Sequence, residues 1–342
     1  MERLFEALPF LAAPLAACLV IAALHCYMGL HVIKRGVIFV DLALAQSAAL
    51  GAAVALLLTP LVCSEPHQHQ LESSASAVSE AGLAEQLASE KQGQSDETTL
   101  GVEEGGRAAL GESSHEGGAH ELEHKWFGRG MSLVFALLGA LLLSFGRLRD
   151  ERIPHEAIIG IIFVVCAALS VLILSKAPHG HERMEAMLVG NILFVRWPDV
   201  AIMLLLYSAL GVFHFALRKP FMEITADVAA ADRAGKLVRL WDCLFYASFA
   251  LMVTQSVSMA GVLVVFSYLI IPAACAVLFA TGFGHQLVAA WVVALVLTVA
   301  GLVLSAAGDM PTGPSLVSCF GAALVVCAVA RKVLGSTRGG VA

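Results

Sequence analysis

The chain has 342 residues, 58% of them hydrophobic and 14% charged, with a formal net charge of −6. Soluble domains carry about 45–50% apolar and about 25% charged residues, so this composition excludes an ordinary water-soluble fold. The negative balance is not a property of the whole surface, because the acids are concentrated in one segment.

The apolar excess lies in long runs, beginning with LPFLAAPLAACLVIAAL. A bilayer core about 30 Å thick takes roughly 20 apolar residues of helix. The runs predict spans at 9–30, 36–61, 131–146, 156–175, 198–217, 238–257, 259–280, 286–306 and 315–334, of which 131–146 is short for a full crossing. The first run is not followed by a small-residue cleavage site and a polar mature chain, so it reads as a retained span. The expected fold class is therefore all-α, a polytopic membrane helical bundle of eight or nine spans. It divides into residues 1–63 with the first two spans, an insert at 64–130, and the remaining spans at 131–342.

Basic residues in short loops set the orientation. Lys34 and Arg35, Arg147, Arg149 and Arg152, Arg218, Lys219, Arg233, Lys236 and Arg239, and Arg331, Lys332 and Arg338 all fall on one side if the N-terminus is outside. That side is the expected cytoplasm. The insert then lies outside. It is rich in Glu, Ser, Gly, Gln and Ala, as in LESSASAVSEAGLAEQLASEKQGQSDETT from Leu71. Few large apolar residues are present to offset ordering entropy, which predicts a mostly disordered or loosely helical loop. Eight cysteines are present with no C-x-x-C pair, and seven lie in apolar runs, so they read as small buried residues.

Seven of the twelve histidines fall in the two predicted outside loops: His67, His69, His115, His120, His124, His179 and His181. Neutral imidazole is the commonest protein metal ligand. HQH and HGH each place two imidazoles close together, and His120 and His124 share a face of any helix that forms there. Glu116, Glu121 and Glu123 add carboxylates, a donor set suited to zinc and its first-row neighbours. HELEH at 120–124 also fits the H-E-x-x-H pattern of zinc proteases. That chemistry needs a rigid helix, a third ligand and an open position for water. The low-complexity surroundings argue for metal affinity without proteolysis.

Within the spans, Asp41, Gln46 and Ser47 interrupt VIFVDLALAQSAALGAAVALLL. An ionisable residue inside a span is a functional candidate, though Asp41 also suits a helix cap paired with Lys34 or Arg35. His214 and Asp242, near predicted cytoplasmic ends, read as interfacial. No G-x-x-x-x-G-K-[S/T] phosphate loop occurs, so any ATP that drives this chain is hydrolysed on another subunit.

Four segments in order, RGVIFVDLALAQSAALG, MLVGNILFVRWPDV, SVSMAGVLVVFSYLIIPAACAVLFA and SAAGDMPTGPSLV, resemble the permease subunits of ABC importers for divalent metals, the zinc and manganese uptake type. The resemblance covers most of the chain outside the insert. It implies a permease acting as a homodimer with two copies of an ATPase that binds ATP and Mg²⁺. It further implies an extracytoplasmic metal-binding protein and transport by alternating access, with no cofactor in the chain itself. Many members carry G-D-x-L-A-H in the second span, the Asp and His being candidate gate ligands. Here those positions hold Leu42 and Gln46, with Asp41 one residue earlier, about 100° round the helix. Asn191 stands where an Asp is common. Asp41, Gln46 and Asn191 are the candidate pathway residues, and either LFATGFGHQ or EITADVAAADRAGK is the candidate ATPase contact. Zinc is the expected ion because of the histidine-rich loop. Manganese or iron, or a secondary metal transporter without an ATPase, are the alternatives.

Overall fold

The computed structural model describes residues 2–62, 116–146, 154–177, 180–227, 230–231 and 237–338. Among them every regular element is helical: α1 Glu2–Arg35, α2 Val40–Val62, α3 Glu116–Phe145, α4 His155–Leu174, α5 Gly180–Val189, a 3₁₀ turn at Ile192–Phe194, α6 Trp197–Ala216, α7 Arg218–Ala226, α8 Val238–Ala260, α9 Val262–Phe279, α10 Phe283–Gly308 and α11 Thr312–Arg338. Two compact units are distinguished, one of Met1–Ala55 with Gly128–Ala342 and one of Leu56–Phe127. The helical bundle is the first.

Among the described residues nine helices are long and apolar enough to cross a membrane. In hydrocarbon every backbone N–H and C=O must be satisfied within the segment, which is why each apolar run closes into a helix. Boundaries moved where local chemistry overrides hydropathy. The first helix continues to Lys34 and Arg35, cations that suit its negative C-terminal end. The third crossing, expected to be short, begins at Trp126 and is 20 residues long. Its polar first turns continue the helix although they lack an apolar signal. Two crossings expected as 238–257 and 259–280 meet instead at Gly261, whose φ of 79° ends α8 and starts α9. Helix α9 runs on through Pro272.

The bundle is built on close backbone approach. Helix α1 packs along α9 and α10, and α9, α10 and α11 pack on one another. At Gly29 an added Cβ would lie 1.9 Å from the Leu269 carbonyl oxygen, so only glycine lets α1 reach the α9 backbone. At the opposite end from Arg35, Gly190 and Gly261 meet backbone to backbone, and a Cβ on Gly261 would fall 2.4 Å from the Gly190 nitrogen. Gly261→Ala should therefore lower the thermal midpoint of the purified protein. It adds to the steric cost about 1–3 kcal/mol for holding alanine at φ 79° and ψ 160°, a region used almost only by glycine. An unchanged midpoint would mean that this junction relaxes freely.

Large apolar side chains such as Leu172, Leu205, Val212 and Val326 point outward, as lipid contact requires. Buried polar groups collect elsewhere: His25, His31, Asp41, His214, Asp242, Ser248 and Ser256 are all at most 4% exposed. They lie on α1, α2, α6 and α8.

Candidate functional site

Two polar layers lie along α1. The layer nearer its basic end is built around Arg35. Its guanidinium bonds Asp242 of α8 at 3.0 Å, bonds the Thr225 hydroxyl of α7 at 3.0 Å and lies 4.0 Å over the Phe245 ring. His31 Nδ1 contacts the same Thr225 hydroxyl at 2.7 Å, so α7 is tied to α1 through two side chains. His214 of α6 stacks on Phe221, and both His214 and His31 meet the Tyr27 ring edge-on. The Ser248 hydroxyl donates to the Phe245 carbonyl, so it accepts from His214 Nε2 at 2.8 Å. His214 Nδ1 and His31 Nε2 are buried without hydrogen-bond partners.

The second layer lies deeper. His25 Nδ1 bonds the Ile21 carbonyl at 2.9 Å. A carbonyl can only accept, so Nδ1 carries the proton and Nε2 of the neutral ring presents a lone pair. That lone pair faces Ser256 Oγ at 3.3 Å, a hydroxyl that also has the Met252 and Val253 carbonyls in reach at 2.8 and 3.2 Å. Tyr207 of α6 donates to the Met252 carbonyl at 3.2 Å, and its ring centroid is 5.9 Å from that of His25. Ser256 and Asp41 are both near enough to the Tyr207 phenol to influence it.

Asp41 is the most unusual group of the set. It lies in the first turn of α2, is 1% exposed, and neither carboxylate oxygen has a hydrogen-bond partner. The alternative role of cap paired with Lys34 or Arg35 is not the one it plays. Arg35 pairs with Asp242, Lys34 lies over the Phe283 ring, and Glu156 of α4 takes the Ile38 N–H ahead of α2. His214 and Asp242, expected at the interface, are buried. Gln46 is half-buried on α2, five residues from Asp41 and thus about 140° round the helix. It does not share the Asp41 face. Asn191 is exposed and precedes the 3₁₀ turn, and it helps line an open cavity of about 170 Å³ with Gly190, Met310, Pro311 and Thr312.

The predicted histidine ligands fare differently. His181 is exposed in α5. His120 and His124 are on the backbone of α3, but their side chains lie outside the described residues, as do His67, His69, His115 and His179 entirely. No group of three or more His, Cys, Asp or Glu able to hold a metal occurs among the described residues. The described cysteines are unpaired by disulfides, with Cys18, Cys26 and Cys275 buried. Of the two candidate ATPase contacts, EITADVAAADRAGK (223–236) begins in the last turn of α7, with Ile224 and Thr225 buried and residues 228–229 and 232–236 outside the described residues, while the turn after α9 is Ala280 to Gly282. Sequence reading passed over His25, Tyr27, His31 and Tyr207. The signal was LHCYMGLH, a cluster of polar rings inside an apolar run.

Known proteins place these helices in context. The chain is 26% identical over 188 residues to the manganese transport system membrane protein MntC of Listeria innocua, covering 54% of this chain and 65% of that one. It is 24% identical over 218 residues to the manganese transport system membrane protein MntB of Synechocystis, covering 60% and 71%. It is 26% identical over 168 residues to the chelated iron transport system membrane protein YfeD of Yersinia pestis, covering 49% and 56%. The chain thus spans 65% of the length of its Listeria relative. Its fold is similar to that of PsaBC from Streptococcus pneumoniae in complex with Fab, with a TM-score of 0.64 at 17% identity over 94% of this chain and 93% of that one. It is also similar to an inward-facing putative metal-chelate type ABC transporter, with a TM-score of 0.57 at 12% identity over 93% and 85%. The profile of one family matches residues 129–331, more than half of the chain, from the middle of α3 to the last turns of α11. Matched by that family's profile over more than half of its length, this chain belongs to the ABC 3 transport family.

Proposed function

We propose that this chain is the permease of an ATP-driven importer of a divalent first-row metal ion, with zinc as the principal cargo. Asp41 carries the reading. A carboxylate inside an apolar bundle with no hydrogen bond to either oxygen costs several kcal/mol, and a passing dication is the natural compensation. Relatives named for manganese and chelated iron support a transition metal of this class. The preference for zinc rests on the histidine-rich segment, because imidazole with carboxylate suits zinc better than carboxylate and water alone.

In this reading the chain hydrolyses nothing. It pairs with a second copy of itself and with two ATPase subunits that bind ATP and Mg²⁺ at the basic face, and it receives the ion from an extracytoplasmic binding protein. The N-terminus and the 64–130 segment are outside, as the basic loops require. His67, His69, His115, His120, His124, His179 and His181 gather zinc there, while Asp41, Gln46 and Asn191 belong to the pathway. Helix α7 is the better ATPase contact, since Thr225 links it directly to Arg35 and His31 of α1.

Deleting residues 64–115 together with changing His120, His124, His179 and His181 to Ala removes all seven histidines and tests the collecting role. Zinc uptake by cells making the shortened chain should need several-fold more external zinc for the half-maximal rate, with the maximal rate retained. Identical concentration dependence would remove the collecting role and leave the permease reading in place.

A further inference from the structure

Where many members of the resembled family carry an Asp and a His as candidate gate residues, this chain has Leu42 and Gln46. We propose that His25 of α1, Tyr207 of α6 and Ser256 of α8 complete, together with Asp41, an ion-coordinating position, taking a divalent first-row cation through one imidazole nitrogen, a carboxylate and hydroxyl oxygens. The inference rests on the transport reading.

Three observations converge on it. The His25 Nε2 lone pair meets the Ser256 hydroxyl at a long 3.3 Å, and two closer carbonyls compete for that hydroxyl's single proton. Both oxygens of buried Asp41 are without partners. Tyr207 bridges the two, ring to ring with His25 and electrostatically with Asp41. Anchoring of Nδ1 by the Ile21 carbonyl fixes the tautomer and aims the other nitrogen, the arrangement that ligating histidines use. The adjacent layer is a poorer place for a dication, because Arg35 and Lys34 act electrostatically on His31 there. With one nitrogen and one carboxylate the set is sparse. That suits a transit position, which must release its ion as readily as it binds it.

The test uses the full-length chain with its ATPase in liposomes, measuring initial uptake of radioactive zinc and manganese. His25→Gln, which retains a donor for the Ile21 carbonyl, should lower zinc uptake about tenfold. His25→Asp should shift the zinc-to-manganese ratio several-fold toward manganese, since an all-oxygen set favours the harder ion. Tyr207→Phe, which keeps the ring and its packing, should raise the zinc concentration for half-maximal uptake. A purely structural role for His25 would not move the ion preference. If wild type transports and all three variants match it in rate and preference, the coordinating position is wrong and the importer reading survives. If wild type itself moves neither ion, both fall.

Discussion

Asp41→Asn is expected to separate transport from stability. Uptake of zinc should fall by about tenfold or more, since the amide has no charge to offer a dication. The folded protein should become no less stable, and a rise in the thermal midpoint is the expected sign. The reason is the environment. Neither carboxylate oxygen accepts a hydrogen bond, and the side chain is 1% exposed, so the group forfeits its hydration with no protein partner in return. Asparagine has the same shape and a smaller desolvation cost. A residue that costs stability where it sits, and whose removal costs activity, is the signature of a functional position. Metal binding there displaces any proton the carboxylate carries, so uptake should also be steeper with pH in wild type than in the variant. If the variant unfolds while residual protein transports at the wild-type rate per molecule, Asp41 is structural.

Disrupting Arg35–Asp242 should have the largest effect on folding. The two side chains are 3% and 2% exposed and 3.0 Å apart. Removing one member of a buried pair costs about 3–5 kcal/mol, because the remaining charge has lost its closest compensation. Asp242→Leu is expected to reduce the yield of monodisperse protein sharply. The double change Arg35→Met with Asp242→Leu should recover much of that yield, since an apolar pair of similar volume replaces an ion pair at little net cost. Transport should not recover with it. Arg35 also holds Thr225, the link between α7 and α1, and methionine cannot make that bond. Yield recovered together with full uptake would show that this link carries no coupling. Detergent size-exclusion profiles and uptake from the same preparations read both outcomes.

The helices were legible because each crossing is an apolar run of membrane length, and glycines and basic residues punctuate them. The crossing at 131–146 was underestimated for a physical reason. Hydropathy counts apolar residues, while the helix continues through Trp126 to Gly130 without an apolar run. Asp41 was legible as an ionisable group within a span. Its environment was not, because Arg35 is nearby in sequence yet pairs with Asp242, 207 residues away. The same holds for His25, whose neighbour Ser256 is 231 residues distant. Local pattern predicts which groups are costly to bury. Only the packing of α1 against α6 and α8 says which of them meet. The histidines of the insert remain a reading of composition, because their chemistry depends on geometry outside the described residues.

The most direct test of the central claim is metal flux in a defined system. The full-length chain, purified with its co-expressed ATPase and reconstituted in liposomes, should accumulate zinc only when ATP and Mg²⁺ reach the ATPase and the binding protein presents zinc on the opposite side. The chain without the ATPase should accumulate none. Accumulation by the chain alone, driven by an ion gradient and indifferent to ATP, would contradict the account.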